Sequence, residues 1–224
     1  MNVLLINPRD LNVAEVRQKC YPPLNLMYLA SALLAAGREV RILDANAFLL
    51  WDEQIAAEAR RFEADLVGLP LLSETAPQVF SIAQAVRAVR PEAKIVLGGP
   101  TATAWPDRVM GEFPMADFVI SGEGERSIVQ LCHALEKGGG LESVAGLSFR
   151  REGGVVHVPP TRPEKDADKF LPPARHLLAD AYEQKKYYTL LVRERPTETL
   201  TTTRGCPFQC AFCYNTVRHY RKRS

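Results

Sequence analysis

The run Lys94-Ile95-Val96-Leu97-Gly98-Gly99-Pro100 decides the fold of this chain, because it joins an apolar strand to a helical stretch through two glycines. A short apolar run bounded by turn residues is typical of a strand buried in a parallel sheet. Residues 1–140 repeat this arrangement. The repetition predicts five strands, at residues 3–6, 39–43, 65–69, 94–97 and 117–120.

Amphipathic helical stretches separate these strands. The pattern predicts helices at residues 24–36, 52–62, 76–90 and 106–110, and a further helix that opens at Gly122-Glu123-Gly124-Glu125 and stops before Gly138. Strands that alternate with helices form a parallel sheet with helices on its faces. The sequence therefore predicts an α/β fold, a flavodoxin-like, doubly wound five-stranded parallel sheet. Ligands of such sheets bind beyond the carboxyl ends of the strands.

The loops at those carboxyl ends carry the candidate ligand contacts. Glycine lets a backbone approach a large ligand closely, and hydroxyl groups and helix N-termini can bind amides, phosphates or water. Each loop also has a purely structural interpretation, as a tight turn or a helix cap. The candidate residues are Ser73, Glu74, Thr75, Gly98, Gly99, Thr101, Gly122, Glu123 and Gly124.

The pattern changes after Gly140. Residues 144–150 and 155–158 flank Glu152-Gly153-Gly154 and predict a β-hairpin. Residues 159–175 are rich in proline and charge and predict an extended linker. A short strand at residues 198–203 then leads into a cysteine loop. We expect three units: the sheet domain at 1–140, the hairpin and linker at 141–196, and the start of another domain at 197–224.

Three of the five cysteines, Cys206, Cys210 and Cys213, lie together near the end of the chain with the spacing C-x3-C-x2-C. Three such thiolates can ligate three corners of an iron–sulfur cluster, which leaves one iron open. A zinc site with His219 as a fourth ligand is an alternative, and a disulfide is a weaker one. Cys20 and Cys132 stand alone in apolar surroundings, and we expect buried, inert thiols there.

The cysteine motif resembles the signature of the radical S-adenosylmethionine (SAM) enzymes, C-x3-C-x-aromatic-C, in which Phe212 takes the aromatic position. The resemblance implies that Cys206, Cys210 and Cys213 bind a [4Fe–4S] cluster. It also implies that SAM binds the open iron, that Phe212 lies near its adenine, and that the cluster cleaves SAM reductively to give a radical.

The first 140 residues resemble the cobalamin (B12)-binding domain found upstream of many radical SAM barrels. The run from Tyr21 to Ala30, the glycines at Gly98-Gly99 and the Gly122–Glu125 loop carry this resemblance. It implies that the nucleotide tail of cobalamin inserts along the carboxyl edge of the sheet. The residues after the first strand contain no histidine, so we expect cobalt without a histidine lower ligand.

Together the two resemblances imply the N-terminal part of a cobalamin-dependent radical SAM enzyme, with methyl transfer to an unactivated carbon or phosphorus as the favoured reaction. Two alternatives remain open: a non-catalytic module that binds cobalamin or a partner, and a radical SAM part without cobalamin. The strand–helix units of a barrel do not follow before Ser224. We therefore expect residues from about 197 onward to be poorly ordered or to lean on the first domain, and SAM cleavage by this chain alone is in doubt.

Composition adds limits on partners. Apolar residues make up 46% of the 224 residues and the net charge is +2, as in ordinary globular proteins. We expect a cytoplasmic protein, because no secretory signal or membrane-spanning run is present. The expected partners are a small-molecule substrate and an electron donor such as flavodoxin or ferredoxin. The basic run 218–224 permits nucleic-acid binding, but a solvated stretch, or one with acidic partners beyond Ser224, is favoured.

Overall fold

A mostly parallel sheet forms the centre of the molecule in the computed structural model, which describes residues 1–10, 19–214 and 220–223. The strands are β1 (Asn2–Asn7), β2 (Lys19–Cys20), β3 (Glu39–Asp44), β4 (Leu66–Pro70), β5 (Lys94–Gly98), β6 (Phe118–Ile120), β7 (Leu147–Arg151), β8 (Gly154–His157), β9 (Tyr188–Thr189), β10 (Thr203–Arg204) and β11 (Arg221–Lys222). The helices are α1 (Leu24–Ala35), α2 (Ala45–Phe48), α3 (Asp52–Arg61), α4 (Ala76–Val89), α5 (Pro100–Ala104), α6 (Pro106–Glu112), α7 (Gly124–Lys137) and α8 (Ala179–Glu183).

The described sheet has seven strands in the order β3-β1-β4-β5-β6-β7-β8. The first five run parallel, with β3 and β4 on either side of β1, which is the flavodoxin-like order. The strand order reverses between β1 and β4, so a ligand crevice is expected there. The predicted class of fold and the five parallel strands are confirmed.

The prediction of a five-stranded sheet is wrong in one respect, because the hairpin β7–β8 joins the same sheet. Strand β7 pairs antiparallel with β6, with Phe118 opposite Phe149 and Ile120 opposite Leu147. Residues Leu147 and Phe149 are buried. The hairpin was expected to lie with a linker, but its alternating apolar residues cover the open edge of β6. The sheet therefore extends past residue 140.

Each face of the sheet has its own apolar core. Side chains alternate between the faces along a strand. Accordingly Val3 and Leu5 of β1 pack with α1 and α7, whereas Leu4 and Ile6 pack with α3, α4 and α6. The helices required by this arrangement start and stop within a few residues of the predicted positions. Among the described helices, none has both the length and the apolar character needed to cross a membrane.

Three short helices, α2, α5 and α8, were not predicted. Helix α2 begins because the Asp44 carboxylate accepts hydrogen bonds from the backbone amides of Asn46 and Ala47, at 3.1 and 3.0 Å. This is an N-cap that aspartate favours. Asp52, which was expected to cap the next helix, is instead its first residue, and the Gln54 side chain accepts from the backbone amide of Trp51 at 2.9 Å.

The segment expected as a linker is held against the first domain. The Tyr187 hydroxyl donates to Asp44 at 2.9 Å, in the interior of the molecule. The backbone amide of Ala174 donates to the Met27 carbonyl at 3.1 Å, and the Ser31 hydroxyl donates to the Pro172 carbonyl at 2.6 Å. The proline-rich chain is thereby fixed along α1 and β3.

Candidate functional site

A cavity of about 390 Å³ opens at the carboxyl ends of β1, β4, β5 and β6, on the face that α1 and α7 cover. Its inner wall is apolar and comes from side chains such as Leu5, Val96, Ile120, Leu29 and Ile128. Its volume lies within the range of small-molecule sites, and its position is the one where doubly wound sheets bind ligands.

Two glycines of the cavity lining lie in close contact with neighbouring atoms. Gly68 lies within β4, and a Cβ at that position would come within 2.7 Å of Leu5 Cδ2. Gly99, just after β5, has φ +98° and lies against the Leu71 backbone, where a Cβ would meet the Leu71 carbonyl oxygen at 3.2 Å. Both positions therefore favour glycine, and both line the cavity.

Five of the nine predicted cobalamin contacts line this cavity: Gly98, Gly99, Gly122, Glu123 and Gly124. The other four, Ser73, Glu74, Thr75 and Thr101, lie outside its lining. The hydroxyls of Ser73 and Thr101 are 3.2 Å apart and exposed, so they join the loops that follow β4 and β5. Thr75 is buried, and its hydroxyl donates to the Leu72 carbonyl at 3.4 Å rather than capping α4.

The N-terminal end of α7 carries a charged network at the mouth of the cavity. The Glu125 carboxylate lies 2.7 Å from the Arg204 guanidinium, and Glu123 lies 3.6 Å from the same group. Arg221 also donates to Glu123, at 3.0 Å, and its side chain is only 5% exposed. The expectation that the terminal basic run has acidic partners beyond Ser224 is wrong for Arg221, because its partner is Glu123 within the chain.

The cysteine loop lies next to this network. Cys206 is half-buried, whereas Cys210 and Cys213 are exposed. Phe212 is 92% exposed, and the following Tyr214 stacks on Trp105 with ring centroids 5.9 Å apart. The three thiols match the donor chemistry of an iron–sulfur site. They are not gathered around one point, and no three acidic, histidine or cysteine side chains of the described residues are placed to hold a metal ion.

The remaining cysteines and histidines were predicted in part. Cys20 and Cys132 are buried as expected, and burial raises the pKa of the Cys132 thiol to about 11. None of the three described histidines, His133, His157 and His176, lines the 390 Å³ cavity. His219, the alternative zinc ligand, lies outside the described residues.

A second and larger cavity, of about 1260 Å³, lies between α1, α7 and the segment 157–171. Its wall includes Ser148, His157 and Asp107, which form a hydrogen-bonded chain with distances of 2.8 and 2.7 Å. Ser148 is buried, so this chain ties the hairpin to α6 rather than presenting a nucleophile. The cavity does not reach β4 or β5, and the smaller cavity is therefore the candidate site.

Sequence reasoning missed three residues of the site: Gly68, Tyr28 and Arg204. Glycine inside a strand often marks the close approach of a ligand, and this signal could have identified Gly68. Arg204 lies two positions before Cys206 and is not among the predicted site residues. Its partners Glu123 and Glu125 are about eighty positions away in the sequence, so no local pattern predicts the contact.

Comparisons with known proteins identify the family of the chain. The B12 binding domain family matches residues 11–131, and the chain belongs to this family. The chain is 31% identical over 217 residues to an uncharacterized methyltransferase of Pyrococcus horikoshii, a match that covers 96% of the chain and 45% of the relative. It is 28% identical to the anaerobic magnesium-protoporphyrin IX monomethyl ester cyclase of a Synechocystis strain, covering 95% of the chain and 42% of the relative.

Among solved structures, the chain is similar to OxsB, a cobalamin-dependent S-adenosylmethionine radical enzyme with aqua-cobalamin and S-adenosylmethionine bound. The TM-score is 0.81 at 22% identity, and the match covers 100% of the chain and 30% of OxsB. This likeness shows a shared fold. The family match, together with these relatives, confirms the resemblance to cobalamin-binding radical SAM proteins. The chain spans less than half the length of the curated relatives it matches.

Proposed function

We propose that this chain binds cobalamin, with the nucleotide tail in the 390 Å³ cavity and the corrin ring at the carboxyl edge of the sheet. The observation that carries this proposal is the cavity beside Gly68. Gly68 has no side chain and lies in β4, next to the point where the strand order reverses. An apolar cavity of this kind can accommodate the flat ring of a nucleotide tail, because burial of apolar surface favours binding.

The residues around the cavity have separate roles in this proposal. Gly98 and Gly99 let the loop after β5 approach the ligand, and Gly122 and Gly124 do the same at the start of α7. The exposed hydroxyls of Ser73 and Thr101 lie above the loops after β4 and β5, where they can donate to polar groups of the corrin. Cobalt is expected to lack a histidine ligand from the described residues.

Cys206, Cys210 and Cys213 would hold a [4Fe–4S] cluster, with SAM at its open iron and Phe212 beside the adenine. When bound, the cluster would supply the electron for cleavage of SAM, and cobalamin would carry the group transferred. The exposure of Cys210, Cys213 and Phe212 leaves this loop accessible to both cofactors. The chain's own contribution is to hold the loop next to the cavity mouth.

For the whole protein we propose methyl transfer to an unactivated carbon or phosphorus of a small-molecule substrate, with flavodoxin or ferredoxin as the electron donor. The name of the Pyrococcus relative supports a methyltransferase, whereas the cyclase relative supports ring formation. A non-catalytic cobalamin-binding module is a second candidate, which is favoured by the ungathered positions of the three thiols.

Anaerobic reconstitution with iron, sulfide and hydroxocobalamin separates these functions. We expect the purified chain to retain both the corrin absorption bands and the absorption of an iron–sulfur cluster after gel filtration. Corrin bands without cluster absorption would favour the binding module. Cluster absorption without corrin uptake would contradict the proposal and favour a radical SAM part that does not use cobalamin.

A further inference from the structure

The structure places one arginine between the cavity and the cysteine loop. Arg204 belongs to β10, and only Gly205 separates it from Cys206. The Arg204 side chain is 16% exposed and lines the 390 Å³ cavity together with Gly205. Any ligand that fills the cavity therefore contacts the chain immediately before the first cysteine.

The first domain and the segment that follows it hold this arginine from three directions. Its guanidinium pairs with Glu125 at 2.7 Å, lies 3.6 Å from Glu123, and stacks over the Phe170 ring at 3.7 Å from the centroid. The Tyr28 ring, at 4.7 Å, lies on the wall of the cavity. A planar guanidinium fits such a set of carboxylates and rings, and a lysine would not reproduce it.

Glu123 also contacts β11, the strand that pairs with β10. Strands β10 and β11 are antiparallel, with Arg204 opposite Arg221, and both arginines contact Glu123. At the other end of the cysteine loop, Tyr214 stacks on Trp105 of the first domain. Both ends of the loop are thus fixed to segments that follow β5 and β6.

We propose that Arg204, clamped by Glu123 and Glu125, is a positioning residue that sets the exposure of Cys206 and transmits occupancy of the cavity to the cysteine loop. The second part of this proposal rests on the proposed cobalamin function. The first part does not, because the clamp is present without any ligand. Loss of one carboxylate should free the guanidinium and, with it, the backbone that leads into Cys206.

Thiol alkylation of the full, reduced, metal-free chain tests the clamp. Iodoacetamide modification of each cysteine is followed by mass spectrometry, with Cys210 as the internal reference. We expect Glu125→Gln to raise the rate at Cys206 relative to Cys210 about fivefold, which corresponds to the ~1 kcal/mol of a partly exposed ion pair. Arg204→Lys should have an intermediate effect, and Glu112→Gln, which breaks an exposed ion pair with Arg108 on α6, should have none.

The same assay with cyanocobalamin tests the coupling. We expect cyanocobalamin to slow alkylation of Cys206 in the wild type, and to slow it less in Glu125→Gln when the two proteins are compared at equal corrin occupancy, as measured by corrin absorbance. An unchanged rate at Cys206 in both Glu125→Gln and Arg204→Lys would overturn the clamp. Equal protection in wild type and Glu125→Gln would overturn the coupling. Absence of corrin uptake by the wild type, with the clamp effect intact, would instead overturn the proposed function and the coupling with it.

Discussion

At the residue scale, the site depends on an absent side chain. Gly68 lies in β4 between residues that favour a buried parallel strand. The local strand structure therefore does not explain why this position is glycine. Its Cβ position is filled in part by Leu5, which lines the cavity and is fully buried. A larger side chain at position 68 must therefore displace Leu5 or occupy the cavity that both residues line.

The substitution Gly68→Val should therefore close the cavity from inside. We expect loss of hydroxocobalamin uptake, measured by corrin absorbance after gel filtration, and a decrease of about 1–3 kcal/mol in the free energy of unfolding from overpacking. Gly111→Ala is the matched control, because nothing lies within 4 Å of a Cβ at that position. Normal corrin uptake by a folded Gly68→Val protein would show that the ligand does not use this cavity.

Asp44 is the residue for which we expect a pH effect on stability. Burial raises the pKa of its carboxyl above the ordinary value of 3.8, against the lowering effect of hydrogen bonds from Asn7, Asn46, Ala47 and Tyr187. Burial and Asp44 also raise the pKa of Tyr187, so its hydroxyl remains a donor. The folded state thus binds the Asp44 proton more tightly than the unfolded chain does.

The stability that Asp44 contributes should be complete below about pH 3.8 and should decrease as the pH rises through the raised pKa. We expect the free energy of unfolding of the wild type to fall relative to that of Asp44→Asn over this range, as measured by urea denaturation at a series of pH values. Glu53→Gln, at an exposed position, provides the control. A constant difference between wild type and Asp44→Asn at all pH values would contradict this account.

At the element scale, the parallel core was predictable and its extension was not. The strands at residues 94–97 and 117–120 consist of apolar runs that turn residues follow within a few positions. The local sequence is therefore sufficient to predict them. The placement of β7 depends instead on an open edge at β6, which is a tertiary property. For the same reason the α2 cap at Asp44 was interpreted only as the end of a strand.

The integration of β7 into the sheet gives an element-scale prediction. Phe149 is 3% exposed and packs opposite Phe118. Replacement by alanine should lower the free energy of unfolding by about 3–5 kcal/mol, measured by denaturant titration. Phe208→Ala, at a side chain that is 68% exposed, should change it little. Equal effects of the two substitutions would indicate that the hairpin does not belong to the core.

At the scale of the whole molecule, the cavity and the cysteine loop are adjacent but chemically separate. The glycine loops and the cysteine motif could both be identified in the sequence. Their connection through Arg204, Glu123 and Glu125 could be identified only in the folded structure. As expected, the part of the chain after residue 197 that the structure describes contacts the first domain, through Arg204 and Arg221. The exposed thiols of Cys210 and Cys213 contribute no buried contacts that the first domain needs.

The simultaneous substitution of Cys206, Cys210 and Cys213 by alanine should therefore separate the two sites. We expect the variant to bind no cluster after reconstitution and to take up hydroxocobalamin as the wild type does. Its free energy of unfolding should lie within about 1 kcal/mol of the wild-type value, because two of the three cysteines are exposed and Cys206 is half-buried. Absorbance spectra and denaturant titrations provide these values. Loss of corrin uptake together with loss of the cluster would mean that the cavity and the cysteine loop form a single site.

An experimental structure of this chain with hydroxocobalamin bound would test the proposed cobalamin site most sharply. We expect density for the nucleotide tail inside the 390 Å³ cavity, in contact with Gly68 and Gly98 and beneath α1 and α7. A corrin bound elsewhere on the molecule, with the space over Gly68 still free of ligand density, would contradict it.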